Sequence, residues 1–420
     1  MPAYIGVNGK AKGIKYVYQG NNKGKAQLIY GERGLYRSSI SVSPLSSERM
    51  CMASCGNEGS YTVFGGGITI DDSNNLVTSN ALDAYKVSSF TKIIPSSSLS
   101  IPRCLLSSGY INSNYIFAGG SPSVTNMTAS AAVDAYNNEL TKVDISELTI
   151  PRINPILGRL GYASTEPLLV AGGYTTSTTD STKFSRTDSV EGYDKTLTKI
   201  NAPDLIGCNG SETSISQSYY NFHKEKSTCY TRIDPYLTPD RRVLIATNNR
   251  LHGFTINLYD NNLTETNIIQ STSSTRTYCD GVASCVIGDS ILIVAGNDVD
   301  NPNGPVLAFD TFTTRLNVTS FYTINRVGQQ AYDSHLTKIS GGDFGDLAIA
   351  GNFKYQDMYA YDETLTLSTV ADRMLHARYC GDAVQSYYNK MLLAGGATTL
   401  QITSKSDLSS DIEAFEYMYY

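Results

Sequence analysis

Tryptophan is absent from this 420-residue chain, and charged residues make up only 17% of it. Aromatic area must therefore come from 30 Tyr and 12 Phe, and Tyr supplies strand-compatible area with a polar tip. No apolar run approaches the roughly 18 residues that span a bilayer, so no membrane segment is expected. Met1-Pro2-Ala3-Tyr4-Ile5-Gly6 lacks a charged stretch followed by an apolar one, so no Sec leader is expected either. There is no long basic run, the net charge is −6 and the pI is about 5.3, which argues against a nucleic-acid face. The eight Cys include no Cys-x-x-Cys pair, and without an export signal reduced thiols are the default. His223, His252, His335 and His376 are the only histidines and lie far apart, which is poor spacing for a metal site.

A short motif recurs in place of these signals. Leu169-Val170-Ala171-Gly172-Gly173 is an apolar run entering two glycines. Variants end in Gly65-Gly66, Gly119-Gly120, Gly296-Asn297, Gly351-Asn352 and Gly395-Gly396, while Leu244-Ile245-Ala246-Thr247-Asn248 has lost both glycines. Their spacings are about 54, 53, 75, 49, 55 and 44 residues, the signature of a repeat fold built from one supersecondary unit. Each unit reads as four strands. Strand A follows an arginine in six units: Arg49, Arg103, Arg152, Arg276, Arg326 and Arg378. Strand B is the run into the glycines. Strand C is an alternating stretch, as in Leu82-Asp83-Ala84-Tyr85 and Val190-Glu191-Gly192-Tyr193, and it carries an aromatic in all seven units. Strand D opens with Leu-Thr or an equivalent, as at Phe90-Thr91, Leu140-Thr141 and Leu197-Thr198.

Six D strands lie downstream of a C strand, and the seventh is displaced. Leu35-Tyr36-Arg37-Ser38-Ser39-Ile40-Ser41-Val42 stands where the repeat needs a D strand, so an N-terminal strand is expected to complete the last unit and hide two sheet edges. Upstream, Tyr4-Ile5-Gly6-Val7-Asn8-Gly9-Lys10-Ala11 is echoed by Tyr18 to Ala26, including Gly20, Gly24 and Lys25. Each copy reads as a hairpin with an Asn- and Gly-containing turn. Such a unit buries too little to stand alone. The expected domains are a hairpin module over 1–34 and a body over 35–420.

Residues 35–420 resemble a kelch-repeat seven-bladed β-propeller in their glycine doublets, strand-C aromatics and pre-strand-A arginines. They depart from it where Leu or Phe replaces the outer-strand tryptophan and at Thr247-Asn248. Residues 4–31 resemble the Gly-Val-Asn-Gly-Lys-Ala repeat of structural proteins from phages of Gram-positive bacteria. The second resemblance implies a virion protein of the tail, baseplate or another exposed part, made in the bacterial cytoplasm and present in several copies. Tyr4, Gly6, Gly9, Lys10, Gly20, Gly24 and Lys25 are its candidate attachment residues toward other virion proteins.

Strand alternation puts the A–B and C–D turns on one face and the B–C and D–A loops on the other. The longest insertion, about Ser211 to Asp240, reads as the A–B connection of the fourth unit. The B–C loops (67–80, 121–130, 174–187, 298–304 and 397–410) are rich in Ser, Thr and Asn, which suits a host cell-surface glycan or wall polymer as well as plain solvated connectors. The repeated arginines read either as ties between neighbouring blades through backbone carbonyls or as a cationic ring for phosphate-bearing polymers. Cys51, Cys104, Cys279 and Cys380 follow an arginine within three residues at a repeat-equivalent place and read as small buried residues on inner strands.

Catalytic signals are missing: there is no nucleophile elbow and no phosphate loop. Acids recur on strand C at Asp83, Asp134, Glu191 and Glu413, a pattern of a fold role more than of one catalytic pair. Asp280 and Asp382, near strand-A starts, read as partners of nearby arginines. No catalytic residue, cofactor or metal is assigned. The leading expectation is a non-enzymatic virion protein. The alternatives are an intracellular kelch interaction module and, behind it, a carbohydrate-active enzyme.

Overall fold

The computed structural model describes backbone and side chains over residues 36–205 (except 57–59, 161–166, 178–179 and 181–182) and 390–416 (except 400), with Tyr259, Met374, Leu375 and Gly381. Elsewhere it describes the backbone of strands. The described chain is almost entirely β, with one short 3-10 turn at Lys405–Asp407.

Seven four-stranded antiparallel sheets are present among the described residues. In the first, strands A to D are Ala53–Gly56, Tyr61–Gly65, Leu82–Lys86 and Lys92–Ile93. The second has Ser107–Ile111, Asn114–Ala118, Val133–Tyr136 and Lys142–Val143. The third has Ile156–Arg159, Leu168–Ala171, Val190–Tyr193 and Lys199–Ala202. The fourth to sixth run from Thr228 to Gln270, Ala283 to Ile324 and Ser334 to Ser368. The seventh joins Asp382–Tyr387, Lys390–Ala394 and Ile412–Tyr419 to Arg33–Arg37 from the other end of the chain. Each A strand lies against the A strands of adjacent sheets, and Asp382–Tyr387 lies against Ala53–Gly56. The arrangement is compatible with a β-propeller-like fold. The N-terminal segment forms two hairpins, Tyr4–Val7 with Lys10–Gly13 and Val17–Gly20 with Ala26–Tyr30.

Apolar side chains alternate to both faces of the B and C strands and fill the space between sheets. Val63, Ala84, Leu106, Phe117 and Tyr136 pack between the first two. Ile116, Ala118, Leu157, Val170 and Tyr193 do so between the second and third. A further cluster unites Met50, Ile68, Cys104, Leu105, Ile153 and Tyr174, which precede A strands or follow B strands.

Several expectations are corrected. The displaced strand is Arg33–Arg37, not 35–42, and it straddles the expected boundary at 34/35; one further bond in register, from the Ser38 N–H to Ala414 O, follows before the chain bends at 39–40. The insertion at 211–240 is not one A–B loop. Thr228–Ile233 is itself strand A of the fourth sheet. Most of that insertion therefore precedes strand A. The D strands begin after the Leu-Thr pair, because Phe90, Leu140 and Leu197 are left-handed (φ 56, 57 and 62°) inside the C–D turn.

The glycine phase of the first repeat shifts by one. The doublets with positive φ are Gly66-Gly67, Gly119-Gly120, Gly172-Gly173 and Gly395-Gly396. Gly65 ends strand B opposite Leu82, just as Ala118 lies opposite Val133 and Ala171 opposite Val190. The reason for the doublet is close approach as well as φ. A Cβ on Gly119 would sit 2.7 Å from Arg152 O, and one on Gly120 would sit 2.6 Å from Cys104 O. Gly351 lies in the strand Asp346–Asn352, and Gly296 lies outside the described residues.

Candidate recognition face

The arginines before strand A are the foundation of the B–C face. Arg49, Arg103 and Arg152 are wholly buried. Arg49 Nη1 donates to Gly66 O and Ala81 O, both at 2.8 Å, and Nη2 pairs with Asp83. Arg103 repeats this with Gly119 O, Ala132 O and Asp134. Arg152 repeats it with Gly172 O, Ser189 O and Glu191. Each guanidinium thus ties the two ends of its own B–C loop to strand C. The arginine carbonyl makes the link to the neighbouring repeat: Gly67 N donates to Arg103 O, Gly120 N to Arg152 O and Gly396 N to Arg49 O, each at 2.8 Å. A surface cationic ring is excluded for these three. Arg276, Arg326 and Arg378 lie outside the described residues.

Burial lowers the pKa of Arg49, Arg103 and Arg152, and the adjacent carboxylates oppose the shift. A buried charge needs compensation, and each acid is held by more than its arginine. Lys92 and Lys142, on the D strands, reach Asp83 and Asp134 at 2.8 and 2.7 Å, and Lys199 reaches Glu191 at 3.5 Å. In the last sheet Arg37 takes this place, with Nε 3.6 Å from Glu413. Backbone N–H groups three residues before each arginine complete the set. Ser46 N and Ser100 N donate at 3.0 Å, Thr149 N at 2.9 Å and Leu375 N at 2.8 Å. For Glu191, burial would raise the pKa, but the Thr149 N–H and the Arg152 guanidinium outweigh it and hold the carboxyl below its usual range.

The strand-C tyrosines tie sheets together in the same zone. Tyr85, Tyr136, Tyr193 and Tyr259 donate to Pro44, Ser98, Ser146 and Pro203 carbonyls at 2.6–3.0 Å. The lysine tie was readable, since Lys follows Thr in Thr91-Lys92, Thr141-Lys142 and Thr198-Lys199. A Ser or Thr three residues ahead of the arginine recurs in five of the six repeats, Leu375 being the exception, but only the fold shows the N–H at that place meeting the acid.

Above this layer stand the B–C loops. Two contain hairpins, Ile68–Ile70 with Leu76–Thr78 and Tyr174–Thr176 with Phe184–Arg186. The seventh is shaped by Asp407, which accepts from Thr403 N at 2.8 Å and Ser404 N at 2.9 Å. Lys405 reaches across to Asp72 of the first loop at 3.2 Å. Between the seventh loop and Glu48, an open pocket of about 320 Å³ is lined by Glu48, Asp411, Lys405, Thr398, Ser406 and Leu408, with Ser409 and Ser410 beside them.

No family model and no curated protein matches the chain. A solved structure titled "Structure of YjhT" is similar at 10% identity and a TM-score of 0.45, covering 88% of this chain and 96% of that one.

The other named residues fall as follows. Cys51 and Cys104 are buried but precede strand A instead of lying on it, and they are not equivalent. Cys51 shares its left-handed position with Leu105 and Asn154, whereas Cys104 matches Met50 and Ile153. Burial pushes the Cys104 thiol up to about 12. Asp382 is the first residue of strand A in the last sheet, and His335 lies in strand Ser334–Ser340. Asp280, His223, His252 and His376 lie outside the described residues. Tyr4, Gly6, Lys10 and Gly20 lie in the N-terminal strands, while Gly9, Gly24 and Lys25 lie outside the described residues.

Proposed function

We propose that this chain is a non-enzymatic phage or prophage virion protein. Its body is a seven-bladed kelch-like propeller, closed by the N-terminal strand. The hairpin module of residues 1–34 fixes it to other virion proteins, and the B–C face presents polar loops to a host-surface glycan or wall polymer. The observation that carries this reading is the continuity at the N-terminus. Two hairpins run directly into Arg33–Arg37, which pairs with Ile412–Tyr419, so a load on the module is delivered to the body through a sheet. The opposite face carries hydroxyl- and amide-rich loops seated on a rigid layer of buried ion pairs, the usual place for recognition. The strand-C acids, the most repeated carboxylates, are engaged by arginine and lysine.

The test is incorporation into particles. The full chain is expected to assemble, whereas a chain lacking residues 1–31 is expected to remain soluble and be left out. Full incorporation of the truncated chain would refute the attachment role. Failure of the full chain to pellet with host cell walls would refute the recognition role.

A further inference from the structure

We infer that the pocket at the junction of the seventh and first repeats is a saccharide subsite for a pyranose unit that is uncharged or carries an amine. The inference rests on the surface-binding reading above and gives it a location. The pocket lies where the first repeat sets an acid beside its strand-A arginine. The residue before the strand-A arginine is Glu48 in the first repeat, and Pro102, Pro151, Thr275, Asn325 or Ala377 in the others that carry the arginine. The residue before strand C is Ala81, Ala132 or Ser189 in the first three repeats and Asp411 in the last, and Asp357 stands before Met358 in the sixth. Glu48 and Asp411 both line the same pocket. Glu48 is half-buried and makes no hydrogen bond or ion pair among the described residues, unlike the strand-C acids beneath it.

The rest of the lining fits a sugar. Its volume of about 320 Å³ lies at the lower end of small-molecule sites, about 300–1,000 Å³. Leu408, 5% exposed, offers a small apolar floor for the C–H face of a ring. Ser410 supplies a hydroxyl able to donate and accept, while the Thr398 and Ser406 hydroxyls, which meet Asp407 O and Ser404 Oγ, retain acceptor capacity. Carboxylates accept from adjacent ring hydroxyls through two oxygens. Lys405 is half exposed, and its only ion pair among the described residues is to fully exposed Asp72, an interaction worth little, so the ammonium can turn inward. With two carboxylates against one ammonium the lining carries net negative charge, which disfavours uronate or phosphate groups and favours a neutral or aminated sugar.

The experiment is ligand-observed NMR titration of the full chain with glucosamine, N-acetylglucosamine and glucuronic acid. Saturable binding of at least one of the first two is expected, weakened at least tenfold by Glu48→Gln and lost in Glu48→Gln/Asp411→Asn, with glucuronic acid unbound. Glu48→Pro restores the residue of the second and third repeats, so it should lose binding while keeping its thermal midpoint. No saturable binding of either sugar, equal binding by the variants, or preferential binding of glucuronic acid would overturn the subsite. Cell-wall pelleting separates the two readings. If the double variant still pellets with host walls, the pocket is refuted and the surface role stands. If the wild type binds sugar through Glu48 yet never pellets with walls, the pocket stands and the surface role falls.

Discussion

The charge layer under the B–C loops makes a quantitative prediction at Asp134. Its carboxylate is wholly buried and accepts from Arg103, from Lys142 at 2.7 Å and from Ser100 N and Oγ at 3.0 Å. The two cations differ in what they can do once the acid is gone. Lys142 is 42% exposed and can swing into water. Arg103 has no exposure and would remain as an uncompensated buried charge. Asp134→Ala is therefore expected to cost about 3–5 kcal/mol, whereas Lys142→Ala should cost about 0–1 kcal/mol. Arg103→Met should also cost several kcal/mol, because Gly119 O and Ala132 O lose their shared donor. In the double variant the orphaned charge disappears, so its cost should fall short of the sum by up to about 3 kcal/mol. Guanidinium denaturation read by tyrosine fluorescence and circular dichroism measures this, provided the two transitions coincide. A cost below about 1 kcal/mol for Asp134→Ala, or an equal cost for Lys142→Ala, would refute the structural role of the layer.

Gly119→Ala should destabilise the chain by about 1–3 kcal/mol from its left-handed backbone alone (φ 68°), and shrinking a neighbouring side chain should not rescue it, because the obstacle is Arg152 O. Gly65→Ala instead meets the Phe117 ring at 2.6 Å, so its overpacking cost, about 1–3 kcal/mol, should be relieved by Phe117→Leu; thermal midpoints of the four variants decide. Glu191 has a lowered folded pKa, so the stability it contributes is present above the ordinary glutamate value, about 4.3, and is lost as pH falls through the lower folded value. Glu191→Gln should be less stable at neutral pH and show a shallower acid loss, and an unchanged acid limb would count against the Thr149 and Arg152 contacts. Removing residues 1–38 takes away Arg37 and Ser38, which contact Glu413 and Glu416, and exposes the edge of Ile412–Tyr419. Size-exclusion chromatography should show self-association for that chain but not for one lacking only 1–31.

Period-two alternation with a recurrent aromatic is a local signal, so strand C was legible throughout, as was the need for a displaced outer strand. Phase was harder. Gly65-Gly66-Gly67 offers two candidate doublets, and only the pairing of Gly65 with Leu82 selects the second. Strand A of the fourth sheet was hidden because no arginine announces it and a long polar stretch precedes it. The left-handed Leu140 and Leu197 run against local preference, which usually reserves that conformation for Gly or Asn. Their side chains pack into the core beside Tyr136 and Val143, and this tertiary contact offsets a strain that no local reading would predict. The pocket was invisible because its two acids lie 363 positions apart in sequence, Glu48 and Asp411, and meet only at the junction of the end repeats.

The distribution of charge across the repeats separates scaffold from candidate function. Where a charged residue recurs in register, as at Arg49, Arg103 and Arg152 or at Asp83, Asp134 and Glu191, it is buried and paired. Its energy is then committed to holding loop ends, and a ligand could reach it only by dismantling the sheet. Glu48, the one acid beside a strand-A arginine, instead lines the open pocket. Repeat folds keep the interface between neighbours uniform because every unit must bury the same face, and Glu48, which makes no hydrogen bond or ion pair among the described residues, stands outside that uniform layer. The junction of first and last repeats is also where Arg33–Arg37 brings in the N-terminal segment. Recognition above and attachment below would then act on the same sheet, and disturbing that one outer strand should affect both.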